Sequence, residues 1–509
     1  MDDPELKATL DRITGRAERP RHALVRFSFL RLMGFVYAFA FLGATQQLPG
    51  LIGPGGLLPA DDHLARLRAM HGGTGAAFLE RPTLFLLTGA SDAALLAVAW
   101  VGLALGLAVL GGVTNAAVMA ALWVLQLSLM HVGQVFWGYG WELLLLEAGF
   151  LAIVLCPLTS ARPLPNEDVP RVLVWLLRWL AFRVMFGAGL IKIRGDPCWQ
   201  ELTCLAHHYE TQPIPNPVSP LLHALPMWVH QAGVLFNHLV ELVVPFFLFG
   251  PRRLRIAGGL LTVAFQAVLL VSGNLSFLNW LTIAVTLAAF DDRFLARVLP
   301  RRLAPPVDPP PPSKPRRVAV WAVAGLVLLL SVDPLMNLFA FDQRMNASFD
   351  RLHLVNTYGA FGSVGRVRHE VILEGTRDDP DDPDATWRAY ALPCQPGDPS
   401  RAPCLRAPYH PRLDWQMWFA ALSDYERQPW IVHLVHQLLT GEGRARELLA
   451  HDPFGDEPPR AVRASLYRYR FAPLSSDGWW ERERVGDYLH ALEADDPRLA
   501  AFVESYGWD

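Results

Sequence analysis

Nine blocks of apolar sequence, each near the length that crosses a bilayer, lie within residues 26–338 and dictate what this chain can become. A spanning helix needs about 20 predominantly apolar residues, and only a helix or closed barrel satisfies its own backbone groups away from water. The blocks are 26–45, 91–110, 113–132, 142–159, 172–192, 229–250, 256–274, 276–292 and 318–338. Arg26 and Arg31 blur the start of the first, and the run 83–89 reads as a short re-entrant piece. Hydrophobic residues make up 52% of the chain and charged residues 18%, where a soluble protein carries about 25% charged. Residues 345–509 read as ordinary water-soluble sequence. The expected architecture is a polytopic α-helical membrane bundle of eight to nine spans with a C-terminal soluble mixed α/β domain.

Orientation follows from where Arg and Lys gather. They cluster before the first block (Arg12, Arg16, Arg19, Arg21), in the turn PRRLR at 251–255, and across 291–317 (Arg293, Arg297, Arg301, Arg302, Lys314, Arg316, Arg317). With nine spans all three clusters fall on one side, the cytoplasmic one. The loop 193–228 and the C-terminal domain then face the periplasm or lumen. The expected divisions are a cytoplasmic segment 1–23, a multi-span domain 24–298, a Pro-rich linker 299–317, a last span 318–338 and a soluble domain 345–509. Residues 1–23 have no apolar core, so insertion is expected to begin with the first block. LAPPVDPPPPSKP, 303–315, is a polyproline-type spacer. In the C-terminal region EVILE (370–374) and LYRYRF (466–471) alternate like strands, while 414–422 and 430–439 carry helical spacing.

Net charge is −3 and no basic face appears, which argues against a nucleic-acid partner. Nucleophile-elbow, P-loop and dinucleotide signatures are missing. The five cysteines are Cys156, inside a span, and two close pairs, Cys198/Cys204 and Cys394/Cys404, on the side where disulfides persist. Both pairs are expected to be bridged. The absence of a CxxC motif excludes a thioredoxin-like oxidoreductase.

One stretch concentrates unusual residues: FGAGLIKIRGDPCWQELTCLAHHYETQPIPNP, 186–217. Lys192 is one of only three lysines (Lys7, Lys192, Lys314) among 45 basic residues. It either snorkels to the interface or, partly buried beside glycines, serves as a base. Asn237, His238 and Glu241 lie in an apolar helix; they form either a bundle-stabilising cluster or the polar lining of a cavity. His207 and His208 with Cys198, Cys204 and Glu210 match no recognised metal spacing, so no metal is expected. Asn274, Ser276, Asn279 and Trp280 occupy a tight hairpin whose backbone groups need local partners.

These residues resemble the lipase maturation factors. The resemblance rests on GAGLIKIRGDPCW (187–199), HYETQPIPNP (208–217), NHLVELVVPFFLF (237–249) and FQAVLLVSGNLSFLNWLTIA (265–284). It continues through LVNTYGAFGSV (354–364), EVILEGT (370–376), APYHPRLDWQMWFAAL (407–422) and WWERERVGDYL (479–489). It implies a multi-pass protein of the endoplasmic reticulum membrane, or the inner membrane in a bacterium, that assists folding and assembly of secreted lipases. AGLIK, 188–192, is also similar to the segment carrying the catalytic lysine in vitamin K-dependent gamma-carboxylase and its relatives.

Two readings result. In the first, a chaperone-like factor without catalytic residues or cofactor holds a lipase polypeptide through loop 193–228 and domain 345–509. Trp199, His208, Tyr209, Trp415 and Trp418 are its candidate contacts, with Trp479 and Trp480 as further aromatics. In the second, a membrane enzyme acts on a lipophilic quinol or lipid with Lys192 as base and His238 and Glu241 as partners.

Overall fold

The computed structural model describes residues 21–158, 160–306 and 309–508; residues 1–20, and with them Arg12, Arg16 and Arg19, lie outside it. Every apolar block is helical. The helices are α1 Ala23–Ile52, α2 Asp92–Gly111, α3 Ala116–Val132, α4 Gly140–Leu155, α5 Arg171–Arg194, α6 Met227–His238, α7 Arg252–Ser272, α8 Leu278–Thr286 and α9 Lys314–Leu330. Five are long and apolar enough to cross a membrane: α1, α2, α5, α7, and α9 with its continuation to Phe339. The chain is a multi-pass membrane protein. The run 83–89 holds a single helical turn, Phe85–Thr88.

Small residues set the tightest helix contact. Gly102 and Gly106, four apart on α2, face α1, and a Cβ on Gly106 would stand 2.8 Å from the backbone nitrogen of Ala38. This small-xxx-small spacing lets two apolar helices approach closely enough for dispersion to hold them where no hydrophobic effect operates. Ser91 and Asn115 cap α2 and α3 by accepting backbone N–H groups of the first turn.

The helix ends sort onto two faces. On one, the Asp292 carboxylate accepts the N–H groups of Ala23 and Leu24 at the start of α1 (2.9 and 2.8 Å). Arg31 donates to the Val113 carbonyl between α2 and α3, 3.1 Å, and Arg26 to the Pro165 carbonyl before α5, 2.9 Å. Arg316 at the start of α9 pairs with Glu167, and Arg252 at the start of α7 pairs with Asp291, 2.6 Å. The C-terminal domain covers the other face. There Arg444 pairs with Asp92 at the start of α2, 2.6 Å, and Gln47 near the end of α1 donates to the His410 carbonyl, 2.8 Å.

The C-terminal region carries an antiparallel sheet in the order β2-β1-β3-β4. Its strands are β1 Arg368–Thr376, β2 Arg388–Ala389, β3 Ala461–Phe471 and β4 Trp480–Glu493. Helices Arg412–Ala420, Trp430–Thr440 and Pro497–Tyr506 accompany it. The region does not begin as a detached domain. Residues 353–364 enter the helical bundle before β1 forms, because Asn356 and Tyr358 complete the shell of a buried carboxylate, Glu147 of α4.

Candidate functional site

Lys192 sits in the last turn of α5 and is 5% exposed, so it does not snorkel. Its Nζ donates to both carboxylate oxygens of Glu241 (2.6 and 2.7 Å) and to Asn237 Oδ1 (3.0 Å). Asn237 in turn donates to Glu241, 3.0 Å. The Trp199 ring lies 5.0 Å from Nζ as a cation–π partner. His238 stands outside this trio, its Nε2 donating to the Trp199 carbonyl at 2.9 Å.

Local sequence explains the arrangement. Pro245 cannot donate to the Glu241 carbonyl four residues earlier, and the helix widens there into a π turn over Leu239–Val243. Asn237 and Glu241, four apart, share the face turned to α5. Gly189 admits them, since a Cβ there would meet the Leu242 side chain at 2.7 Å and Glu241 Cβ at 3.0 Å. Gly187 does the same for the inserted segment, where a Cβ would meet the Tyr358 carbonyl oxygen at 2.5 Å.

Chemically, the three protons of the ammonium are all committed to carboxylate and amide oxygens. To act as a base, Nζ would first have to give up these bonds to Glu241 and Asn237. The trio therefore acts as a clasp, holding α6 and Trp199 against the end of α5.

A second clasp, which sequence reasoning missed, ties the bundle to residues 353–364. Arg183 of α5 pairs with Glu147, and both are buried. Arg183 also donates to the Asn356 carbonyl, 2.6 Å, while Glu147 accepts from Asn356 N–H, 3.0 Å, and Tyr358 Oη, 2.8 Å. A third joins Glu142 to Arg412 (2.6 Å) and Gln126 (2.6 Å), with the Arg412 guanidinium 3.7 Å from the Trp137 ring centroid. The signal was available in ELLLLEAGF and WLAFRVMF, where an ionisable residue stands inside an apolar run.

Loop 193–228 is fused to the C-terminal domain. Asp196 N–H donates to the Gly362 carbonyl, 2.9 Å, and Trp199 Nε1 to the Phe361 carbonyl, 2.9 Å. Buried Arg368 of β1 donates to the carbonyls of Glu210 (2.9 Å), Gln212 (2.5 Å) and Pro213 (3.0 Å). Trp418 Nε1 donates to the Thr211 carbonyl, 3.0 Å. Disulfides close Cys198–Cys204 and Cys394–Cys404, with Cα separations of 4.8 and 5.4 Å. Asn274 of the hairpin bonds the Cys404 carbonyl (2.9 Å) and the N–H groups of Arg406 and Ala407 (2.8 and 3.1 Å).

Among the described residues, Asp196, Cys198 and Cys204 form the one cluster with ligand atoms close enough for a metal, and its sulfurs are joined to each other. Of the aromatic contact candidates, Trp199, His208, Trp415 and Trp480 are buried in packing. Tyr209 and Trp418 are half-buried, and Trp479 is exposed. His208 packs edge-on against Phe361 at 4.7 Å; burial, then the Lys192 charge, pushes its pKa down to about 4.

A family model described as the lipase maturation factor transmembrane domain matches residues 24–297, and one described as the lipase maturation factor C-terminal domain matches 354–490. Lipase maturation factor 1 of Bos taurus is 46% identical over 541 residues, covering 99% of this chain and 96% of that protein. Lipase maturation factor 1 of Homo sapiens is 45% identical, with 99% and 95% covered. Lipase maturation factor 2 of Mus musculus is 31% identical, with 94% and 84% covered. No solved structure matches.

Proposed function

The chain belongs to the lipase maturation factor family, and from that premise we propose that it is a membrane-resident maturation factor that assists folding and assembly of secreted lipases. The observation that carries this reading is the likeness to lipase maturation factor 1, 45–46% identical from end to end. The geometry agrees, because the polar clusters in the bundle tie the loop and domain together.

The bundle makes nine crossings in this reading, with the loop and the C-terminal domain in the lumen, or in the periplasm of a bacterium. The location is the endoplasmic reticulum membrane by family likeness. Alternating helix ends on two faces support the count: every odd helix starts on the face of the arginine clusters and every even helix ends there, α6 through its continuation over Leu239–Val243 and Val244–Phe247. The shorter helices α3, α4 and α8 are completed by irregular segments that run inside protein, where non-helical backbone is tolerated at membrane depth.

The lipase polypeptide is held on the fused surface of loop 193–228 and domain 345–509. Tyr209 and Trp418 lie at its rim with the exposed Phe419, 4.9 Å from Trp418, while Trp199, His208 and Trp415 support it from beneath. The enzymatic alternative, a quinol or lipid substrate with Lys192 as base, is not favoured, since it requires that lysine to leave Glu241 and Asn237. No cofactor enters the proposed role.

The test is secreted lipase activity per lipase molecule in a host lacking this gene, with and without re-expression. Activity that falls on loss and returns on re-expression supports the reading; activity that never changes sinks it.

A further inference from the structure

Helix α9 touches the bundle along one stripe. Val320, Ala324, Val327 and Ser331 are buried, and Ser331 Oγ accepts from Trp179 Nε1 of α5 at 2.9 Å. A second stripe, with the helical spacing i, i+3, i+4, i+7, i+8, runs Lys314, Arg317, Val318, Trp321 and Ala322. It forms an open face lined by these five residues of α9 alone.

The stripe is graded along the helix axis. Its first turn carries two cations and the next two turns are apolar, with Val318 70% and Trp321 67% exposed. Among the described residues, the Lys314 and Arg317 side chains make no ion pair and no hydrogen bond. Their neighbour Arg316, pointing elsewhere, is paired with Glu167. Asp168, whose N–H donates to the Pro310 carbonyl at 3.1 Å, turns its carboxylate to the Val169 N–H at 2.9 Å. The face thus presents two cations unpaired among the described residues at one end and exposed apolar side chains beyond them.

We propose that this face binds an anionic phospholipid, its phosphate between Lys314 and Arg317 and one acyl chain along Val318, Trp321 and Ala322. Charge complementarity selects the headgroup. The tryptophan, about 10 Å deeper along the helix at 1.5 Å per residue, sits where an indole bridges headgroup and chain. The zwitterionic lipid of the same chains fits the apolar side chains but not the cations. The site lies in the leaflet opposite the C-terminal domain and takes no part in holding a lipase.

The full chain, delipidated in detergent, is titrated with phosphatidylglycerol and with phosphatidylcholine of identical chains, and adducts are counted by native mass spectrometry. The wild type binds phosphatidylglycerol more tightly. Lys314→Ala/Arg317→Ala loses about 30-fold for phosphatidylglycerol, at about 1 kcal/mol per basic residue, and treats the two lipids alike. Trp321→Ala weakens both lipids equally. Arg301→Ala/Arg302→Ala, as basic and in the adjoining linker, leaves the preference unchanged. Both double variants keep the wild-type unfolding midpoint, because no folded contact is removed. Equal binding of the two lipids by the wild type overturns the proposal, as does a preference that survives Lys314→Ala/Arg317→Ala. An equal loss in the linker variant also overturns it, since diffuse charge then suffices.

Discussion

Tyr358 donates its hydroxyl to Glu147 at 2.8 Å across 211 residues of sequence, so a membrane helix and the stretch leading into the C-terminal sheet share one buried carboxylate. Arg183 balances the charge, and Asn356 fills the remaining lone pairs through its backbone N–H.

Removing either partner of that pair strands the other. Glu147→Ala is expected to cost about 3–5 kcal/mol, the penalty for leaving Arg183 charged and alone. Tyr358→Phe removes one hydrogen bond to a charged group and costs about 1.5–3 kcal/mol. Unfolding midpoints in detergent should rank wild type above Tyr358→Phe, and Tyr358→Phe above Glu147→Ala. A Glu147→Ala chain as stable as wild type would remove the clasp from this account.

For Lys192 the double variant is decisive. Lys192→Met or Glu241→Met alone should cost about 3–5 kcal/mol, while the pair together should recover most of the loss because no charge is stranded. Lipase activity per molecule should follow stability through the series. Were the double variant to fold normally yet abolish maturation, Lys192 would have a chemical task.

Acid should loosen the joint between loop and domain. His208 is neutral when folded, with its pKa at about 4 against 6.5 unperturbed. The unfolded chain therefore binds the extra proton between those values, and stability rises with pH across that window. The contribution is complete above 6.5 and is lost as pH falls toward 4, amounting to about 3 kcal/mol. His208→Phe, which keeps the contact with Phe361, should flatten that part of the pH profile. A profile identical to wild type would show that His208 does not titrate this way.

Topology can be read by labelling. Single substitutions Glu201→Cys and Glu457→Cys should react with an impermeant maleimide from one side of sealed vesicles. Arg253→Cys and Arg302→Cys should react from the other side. The native cysteines leave no background, because four are in disulfides and Cys156 is buried. Glu201→Cys and Arg253→Cys labelling from the same side would break the nine-crossing scheme.

Much of this was legible in the chain. Each apolar block is helical because backbone bonds must be met internally in hydrocarbon, and EVILE and LYRYRF fall inside β1 and β3, although EVILE is buried along its whole length rather than on one face. The cysteine pairs follow from short turn-rich spacing. What periodicity could not supply was long-range partnership. Helical spacing grouped His238 with Glu241, yet Asn237 is the residue that shares Lys192, because the π turn before Pro245 decides which side chains face α5. Aromatic richness suggested exposed contacts at Trp199 and Trp415, but the same rings are the largest apolar groups available to fill the joint. Nothing local reveals that Asn356 enters the bundle, since its partners are Glu147 and Arg183, far back in the sequence.

That joint also sets a timetable. Ribosomal synthesis delivers Glu142, Glu147 and Arg183 to the membrane long before their last partners, and Arg412 trails Glu142 by 270 residues. Until translation passes that point, the helices carry acidic groups whose intended companions do not yet exist. The bundle is consequently finished from its far end: a chain stopped after α9 would hold every membrane helix and still lack the residues that lock them.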